Sequence, residues 1–311
     1  MPSSPLIGIV VTDAYAPEDP DHDTPLLLEA LRARGKQALP VVWHDEDVDL
    51  AAFSLLVIRS PWDYPERPAD FDAWLTRAQR TTRVVNDPAI VRWNLDKRYL
   101  AELDAAGIRT VPTVFAATLD TARAAIAAQD ADGAARVVIK PTVSAGARDT
   151  GLFAANDPAA LDLAARIIAG GGVAMVQPEV PELSAGREKA LYAIDGAFTH
   201  AIAKGALLEP GGGLRGGVYA ENPVPVPTSD EERAFAADVL AAVRAVTGSG
   251  TPVYARIDTV DSERFGLCVL EVELVEPALN LHVAPRAIDA VVDAILAAVD
   301  EAASGASEST P

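Results

Sequence analysis

Two segments near the carboxy end constrain the fold most, because both alternate charged and apolar side chains with a period of two. They span residues 253–260 and 267–275 and are joined by a polar stretch. Successive side chains of a β-strand point to opposite faces, so the pattern predicts two strands with one apolar face and one charged face. If the strands pair, four charged side chains meet on that second face: Arg256, Asp258, Glu271 and Glu273.

This charged face has two interpretations. Three carboxylates in a cleft suit a hard divalent cation such as Mg²⁺, which prefers carboxylate and phosphate oxygens. Alternating Arg and Glu residues are equally typical of a solvent-exposed face with weak ion pairs. The two segments alone leave both possibilities open.

The amino-terminal part of the chain predicts a parallel sheet covered by helices. Short apolar runs alternate with amphipathic segments, as in α/β domains. We expect a first domain over residues 1–86, with strands at 6–11, 38–43 and 55–58 and helices at 24–35 and 68–80.

The remaining chain predicts two α+β subdomains, at 87–178 and 179–300, followed by a disordered tail at 301–311. The spacing of apolar residues indicates a helix over 94–106, which would begin at Asn94 and end before Gly107. Further helices are expected at 121–129, 158–169, 231–246 and 287–299, strands at 137–139 and 175–177, and a hairpin formed by 188–194 and 198–204.

Composition excludes several classes of function. The formal charge of the 311 residues is −19, whereas nucleic-acid binding needs an electropositive surface. The single cysteine, Cys268, excludes an internal disulfide and a site with several thiolates. No apolar run approaches the roughly 20 residues that span a bilayer, and the first residues lack the basic start of a signal peptide. We therefore expect a soluble cytoplasmic protein with no nucleic-acid or membrane partner.

Lysines are rare, which draws attention to those that remain. Only five of the 26 basic residues are lysines. Lys97 lies in the segment NLDKRYL, and Lys140 ends an apolar strand before a loop of small residues that contains Ser144 and Gly146. A lysine followed by such a loop can hold phosphate oxygens through its ammonium group and the loop N–H groups. A strand that ends in Lys-Pro is also often simply at the protein surface, so this motif alone leaves both possibilities open.

The order of these motifs resembles the ATP-grasp superfamily over nearly the whole chain. The matching motifs are DK at 96–97, IKP at 139–141, MVQPEV at 175–180, an acidic residue at Glu188, RID at 256–258 and LEVE at 270–273. The resemblance implies two subdomains that grip ATP and a ligase that activates a carboxylate as an acyl phosphate for attack by an amine.

The resemblance also implies roles for individual residues. Asp258, Glu271 and Glu273 would bind two Mg²⁺ ions, although many members carry asparagine where this chain has Glu273. Arg256 would stabilise the phosphoryl group during transfer. Contacts to ATP would come from Lys97, Lys140, Ser144, Gly146, Gln177, the backbone of Glu179 and Val180, and Glu188.

A finer resemblance concerns the subgroup that includes the cyclo-ligase forming D-cycloserine, which is understood to close O-ureido-serine into a ring. It rests on RSPWDY at 59–64, DGAFTHAIAKG at 195–205 and LEVELVEPALNL at 270–281. RSPWDY follows an expected strand, where open α/β sheets place their ligand sites. Arg59, Asp63 and Tyr64 are therefore candidate substrate ligands, although Tyr64 and Trp62 are equally compatible with packing at a domain junction.

A glycine-rich loop at 205–220 adds Arg215 as a candidate for holding the acyl phosphate; a mobile, solvated loop is the alternative. Lys204 and His200 share one face of an expected strand. Lys204 is a candidate catalytic residue, and His200 is equally consistent with packing.

The sequence therefore predicts a ligase that uses ATP and Mg²⁺ on a small amino-acid-like substrate, either ring-forming or joining two molecules. A kinase and a non-catalytic nucleotide-binding module are the alternatives. The resemblance allows a homodimer.

Overall fold

The computed structural model describes residues 5–17, 19–131, 135–217 and 222–308. Three sheets form its framework, one within each of the predicted segments 1–86, 87–178 and 179–300. The three domain boundaries themselves stay predictions. None of the helices in the described ranges has the length and hydrophobicity of a transmembrane span.

The first sheet is parallel, as the alternation of strands and helices predicts. Its strand order is β2-β1-β3-β4, and the strands of its core are almost fully buried. The elements are β1 (Leu6–Val11), α1 (Asp23–Ala33), β2 (Gln37–Val42), β3 (Leu55–Ser60), α2 (Pro68–Thr81) and β4 (Arg83–Val85).

A pair of short helices follows, α3 (Pro88–Asn94) and α4 (Tyr99–Ala105). The single helix expected over 94–106 is therefore wrong. The chain leaves the helix because the Lys97 N–H donates to the carbonyl of Thr142, 2.8 Å away in another part of the chain, instead of to a preceding turn. The break places Lys97 in a turn.

The second sheet is antiparallel, with strand order β5-β8-β6-β7. Two helices cover one of its faces. The elements are β5 (Val114–Ala116), α5 (Leu119–Ala131), β6 (Arg136–Pro141), β7 (Gly151–Ala154), α6 (Pro158–Ala169) and β8 (Ala174–Pro178).

The third sheet is also antiparallel, with strand order β11-β10-β9-β12-β13. Helices α3, α4 and α8 cover its apolar face, so the segment just after residue 87 packs with the carboxy-terminal sheet. The elements are α7 (Pro181–Ser184), β9 (Glu188–Ile194), β10 (Ala197–Lys204), β11 (Val224–Pro225), α8 (Asp230–Thr247), β12 (Tyr254–Ser262) and β13 (Gly266–Glu273).

The closing helix α9 (Ile288–Glu308) returns to the first sheet. It extends to Glu308, past the predicted helix end at residue 299. The disordered tail expected over 301–311 stays a prediction. Residues 309–311 lie outside the described residues.

Side chains close the outer edge of β13, where an exposed strand would leave backbone groups without partners. The Asn94 amide donates to the Val272 carbonyl and accepts from the Leu274 N–H, both at 2.7 Å. The Tyr99 hydroxyl accepts from the Val272 N–H at 2.8 Å. Asn94 is therefore a bridge to β13 and not the predicted start of a helix.

Asn86 joins the first sheet to the third. Its side-chain amide donates to the carbonyls of Tyr254 and Leu274 at 2.8 and 2.7 Å, and its side-chain oxygen accepts from the Val253 N–H at 2.7 Å. The Tyr254 hydroxyl completes the junction by donating to the Ile58 carbonyl at 2.6 Å. These bonds fix the charged strands against the amino-terminal domain.

We predict that Asn86→Ala lowers the free energy of unfolding by about 3 kcal/mol, because each buried backbone group left without a partner costs about 1–3 kcal/mol. Urea denaturation of the purified protein measures the effect. The exposed Asn156→Ala is the matched control and should cost less than about 0.5 kcal/mol. Equal costs for the two variants would contradict the role of Asn86.

Candidate active site

A cleft with a cavity of about 540 Å³ lies over the charged face of β12 and β13. The second sheet, the loop after β6 and the segment after β3 form its other walls. Most of the residues predicted from sequence line it: Asp63, Tyr64, Lys97, Lys140, Ser144, Gly146, Gln177, Glu179, Val180, Glu188, Lys204, Arg256, Asp258, Glu271 and Glu273.

The pairing of β12 with β13 brings the four charged residues together, as the alternation predicts. The register places Arg256 opposite Glu273 and Asp258 opposite Glu271. The Arg256 guanidinium donates to both Asp258 oxygens, at 2.9 Å each, and its Nη2 also donates to Glu273 Oε1 at 2.5 Å. Arg256 therefore lies between two carboxylates that would otherwise repel each other.

Lys204 binds a second pair of carboxylates. Its ammonium donates to Asp258 Oδ2 at 2.8 Å and lies 3.1 Å from Glu188 Oε1, because Glu188 faces Lys204 across β9 and β10. Lys204 and Asp258 are only 4% and 2% exposed. Removing either partner would leave a buried charge with one ion pair fewer.

Lys97, in the turn between α3 and α4, and Lys140, on β6 of the second sheet, approach the same floor. Lys97 Nζ lies 3.0 Å from Glu271 Oε1 and donates to the Ser144 carbonyl at 2.7 Å. Lys140 is close enough to Glu271 for the two charges to affect each other's pKa. We call this set the charge network: Lys97, Lys140, Glu188, Lys204, Arg256, Asp258, Glu271 and Glu273.

The pKa shifts show which carboxylates are well compensated. Burial would raise the pKa of Glu271, but Lys97 and Lys140 overcome it, and the pKa lies below its ordinary value. Burial raises the pKa of Glu273 to about 8, with Arg256 opposing the shift only in part. Burial likewise lowers the pKa of Lys140. The network therefore has room for additional positive charge near Glu273.

The carboxylates have donor chemistry that fits Mg²⁺, but they do not form a ready-made cage. Within the ranges that the structure describes, no three acidic, histidine or cysteine side chains are grouped as metal ligands. Arg256, Lys97 and Lys204 bind the carboxylates instead. Mg²⁺ in nucleotide sites commonly takes one or two carboxylates plus phosphate oxygens, so this arrangement fits an ion that arrives with ATP.

The predicted adenine wall lies on β8 and the residues after it. Gln177 lines the cavity and donates to the Thr113 hydroxyl at 2.8 Å. The Glu179 N–H donates to the Arg136 carbonyl at 3.0 Å. A base contact through the Glu179 N–H would have to break that bond, which leaves the Glu179 carbonyl and Val180 as the backbone groups for this role.

The loop after β6 spans the cleft. It is held to the α3–α4 turn by the bond between Lys97 N–H and Thr142, and Arg148 forms an ion pair with Glu66 of the amino-terminal domain. Both partners of that ion pair are largely exposed, so the pair contributes at most about 1 kcal/mol. The loop is therefore positioned over the cavity chiefly by Lys97.

Two predicted site residues do not line the cavity. Arg59 is 1% exposed, donates to the Pro277 carbonyl and lies 4.8 Å from the Tyr254 ring, because its strand is buried on both faces. Arg215 is exposed and donates to the carbonyls of Leu208 and Ser184 at 3.1 and 3.3 Å. Arg59 supports the cavity wall, and Arg215 fastens its own loop; residues 218–221 of that loop lie outside the described residues.

The end of the cavity next to the amino-terminal domain differs in its side chains from the end formed by the charge network. Asp63 accepts from Trp43 Nε1 at 2.7 Å and forms an ion pair with Arg67, so its carboxylate already has partners. The Tyr64 side chain lies near the carboxylate of Glu276, and burial together with this carboxylate raises the pKa of Tyr64 well above its ordinary value. Sequence analysis missed Glu276 because it follows the end of β13, where alternation no longer indicates where a side chain points.

His200 does not line the cavity. Its ring stacks on Tyr192 with centroids 4.1 Å apart, and its Nε2 lies 2.9 Å from the Leu279 carbonyl oxygen. The bulge in β10 lies between Phe198 and His200, so His200 and Lys204 stay in one pairing register with β9. Of the two alternatives, the structure supports packing.

The comparisons with known proteins agree with this arrangement. A family model described as the N-terminal domain of D-cycloserine synthetase DcsG matches residues 7–86. The cycloserine biosynthesis protein DcsG of Streptomyces lavendulae is 38% identical over 288 residues, which cover 88% of this chain and 92% of that protein.

Solved structures give the fold. The crystal structure of D-cycloserine synthetase DcsG has a TM-score of 0.87 at 34% identity and covers 94% of this chain and 99% of that one. An ATP-grasp RimK domain protein from Sphaerobacter thermophilus has a TM-score of 0.61 at 21% identity, covering 92% and 96%. The predicted ATP-grasp fold is therefore confirmed.

We predict that Lys204→Met and Asp258→Asn each lower the free energy of unfolding by about 3 kcal/mol, because each leaves a buried charge short of a partner. The double variant should lose less than the sum, with a coupling of about 1–3 kcal/mol. Urea denaturation of the three variants measures this cycle. The exposed pair Arg34 and Asp289 is the control and should couple by less than about 1 kcal/mol. Additive losses at Lys204 and Asp258 would contradict the network.

We also predict a pH effect at His200. Burial lowers its pKa below the ordinary value of 6.5, so the unfolded chain takes up a proton that the folded protein resists. The contribution of His200 to the free energy of unfolding is therefore fully present above about pH 6.5, the ordinary pKa, and is lost as the pH falls below it. His200→Gln should therefore lose less melting temperature between about pH 7 and pH 5 than the parent protein. Identical losses in thermal denaturation would refute the prediction.

Proposed function

Since the chain belongs to the ATP-grasp ligases related to the cycloserine biosynthesis protein DcsG, we propose that it activates the carboxylate of a small amino-acid-derived molecule as an acyl phosphate. A nitrogen of the same molecule then attacks and closes a ring. ATP-dependent ligation is the activity of the family; the acyl phosphate, the ring closure and the residue roles below are our proposal.

One observation carries the proposal: the charge network converges on one floor of a cavity whose opposite end holds aromatic and acidic side chains. A phosphate-rich ligand suits the first end and a small polar molecule the second. The cavity of about 540 Å³ is within the ordinary size of small-ligand sites and has to hold both molecules. A small substrate whose own nitrogen attacks meets that limit better than two separate substrates.

The network suggests how charge is handled when ATP binds. Four cations face four carboxylates in this set, so the floor is nearly neutral before the nucleotide arrives. Phosphate oxygens would replace carboxylates as partners of Lys97, Lys140 and Arg256. The released carboxylates, Glu271 and Glu273, would then accept new cations.

Asp258, Glu271 and Glu273 are the residues that would hold Mg²⁺. When bound, such ions neutralise the charge on the phosphates and orient them for in-line transfer. Two Mg²⁺ ions carry four positive charges, which balance the four negative charges of ATP and leave the net charge of the floor unchanged. This balance is our reason for proposing two ions.

The reaction that these residues serve is a phosphoryl transfer followed by an acyl transfer. A carboxylate oxygen attacks the γ-phosphorus, and the bond to the ADP oxygen breaks. The nitrogen lone pair then adds to the acyl carbon, the carbon–oxygen bond to phosphate breaks, and the nitrogen releases its proton. Arg256 and Lys97 stabilise the negative charge that develops on the phosphoryl oxygens in the transition state. Electrostatic stabilisation of this kind is usually the largest single contribution to the rate of an enzyme.

The loop after β6 would keep water away from the acyl phosphate. Its position over the cavity, fixed by the Lys97 contacts to Thr142 and Ser144, suits this role. Excluding water favours attack by nitrogen over hydrolysis.

The test is phosphate release from ATP and Mg²⁺ with a panel of amino acids that includes O-ureido-serine, followed by mass spectrometry. We expect ADP, phosphate and a ring-closed product derived from one substrate molecule. A phosphorylated product that accumulates would indicate a kinase and overturn the proposal. An amide that joins two molecules would be compatible with the proposed acyl phosphate but would overturn the proposed ring closure.

We predict that Glu271→Gln lowers kcat by about 100-fold or more, because a Mg²⁺ ligand and the partner of Lys97 are both lost. Lys140→Ala should instead weaken ATP binding. Steady-state kinetics and nucleotide titration separate the two effects. Glu231→Gln, at an exposed position of α8, is the matched control. Full activity of Glu271→Gln in a folded protein would refute its assignment.

A further inference from the structure

Glu276 is a buried carboxylate that the proposed reaction does not use. It lies three residues beyond Glu273, is 8% exposed and lines the cavity. Its backbone carbonyl accepts from Trp62 Nε1 at 3.1 Å, which fixes the segment against the amino-terminal domain. The side chain is therefore presented to the cavity from a firmly held backbone.

Glu276 differs from the other cavity carboxylates in its partners. Asp258, Glu271 and Glu273 bind cations of the charge network, and Asp63 and Glu66 bind arginines. In the part of the chain that the structure describes, no basic side chain lies within ion-pair distance of Glu276. The neighbour that affects its pKa through a side-chain contact is the neutral Tyr64, whose ring packs against that of Phe71 with centroids 5.0 Å apart.

A buried carboxylate with a single neutral donor is poorly compensated, because burial removes its hydration without supplying an opposite charge. Burial accordingly raises the pKa of Glu276 to about 7, and the Tyr64 bond offsets this only in part. A cationic ligand beside Glu276 would supply the missing charge.

The neighbouring side chains also suit a cation. Tyr15 and Trp62 line the same end of the cavity, with their rings edge to face at 5.7 Å. Aromatic faces attract an ammonium group through the negative charge of their π-systems. Carboxylates and aromatic rings thus line this part of the cavity together with Glu276.

We infer that Glu276 receives the protonated α-amine of the substrate, with Tyr64 orienting the carboxylate. This inference rests on the proposed function and names its substrate class: an α-amino acid, bound with its carboxylate toward Lys97 and Arg256. Those two cations and Glu276 line the same cavity, so one small molecule can present its carboxylate to the cations and its ammonium group to Glu276.

The inference has a chemical consequence. An ammonium group that is hydrogen-bonded to Glu276 has no lone pair and cannot attack the acyl phosphate. The second nitrogen of the substrate, carried on its side chain, is left as the nucleophile. Glu276 therefore selects which nitrogen forms the new bond as well as which molecule binds.

The test compares O-ureido-serine with its counterpart that lacks only the α-amine, using the parent protein and Glu276→Gln. The glutamine keeps the size and a hydrogen-bond acceptor for Tyr64 but carries no charge. We expect Glu276→Gln to raise KM for the amino acid by about 10- to 100-fold, the loss typical of a hydrogen bond to a charged group. KM for ATP should not change. The parent protein should prefer the amino acid over its counterpart by a similar factor, and the variant should not.

Controls separate the possible failures. Glu276→Asp keeps the charge and should recover part of the preference, and Glu46→Gln, at an exposed position, should behave as the parent protein. Unchanged KM in a folded Glu276→Gln that still turns over ATP would overturn the inference and leave the proposed function standing. No ATP-dependent consumption of either acid by the parent protein would overturn the proposed function, and this inference with it.

Discussion

The mutual neutralisation of charges on the floor of the cleft is the interaction on which the site depends. Arg256 separates Asp258 from Glu273, and Lys204 ties Asp258 to Glu188. Carboxylates and cations at this depth are tolerated only because each has an opposite charge as a neighbour. The same pairing allows ligand exchange, because a phosphate oxygen can take the place of a carboxylate at a lysine without leaving the lysine unpaired.

The rest of the fold keeps this floor rigid. Asn94 and Tyr99 satisfy the outer edge of β13, and Asn86 and Tyr254 connect the strand pair to the first sheet. Preorganised groups stabilise a developing charge without the cost of reorientation, so a floor fixed on both sides suits phosphoryl transfer. The amino-terminal end of the cavity belongs to the same rigid unit, because Trp62 Nε1 donates to the carbonyl of Glu276 in the segment that follows β13.

Periodic parts of the sequence predicted the structure well, and aperiodic parts did not. Alternation along β12 and β13 predicted both the strands and the convergence of their charges, since the period of two is set by strand geometry. The helix expected over 94–106 failed because the partner of the Lys97 N–H lies in a loop distant in sequence. Arg59 and Arg215 were placed in the cavity by motif position, but burial and backbone contacts hold them elsewhere. Glu276 lies beyond the last residue whose direction the alternation fixes.

The central claim is that the carboxylate of the substrate becomes an acyl phosphate. The most direct test uses substrate labelled with a heavy oxygen isotope in both carboxylate positions, with mass spectrometry of the phosphate and the product after turnover. The account predicts that one labelled oxygen appears in inorganic phosphate and the other remains in the product carbonyl. Phosphate without label, after complete turnover, would contradict it.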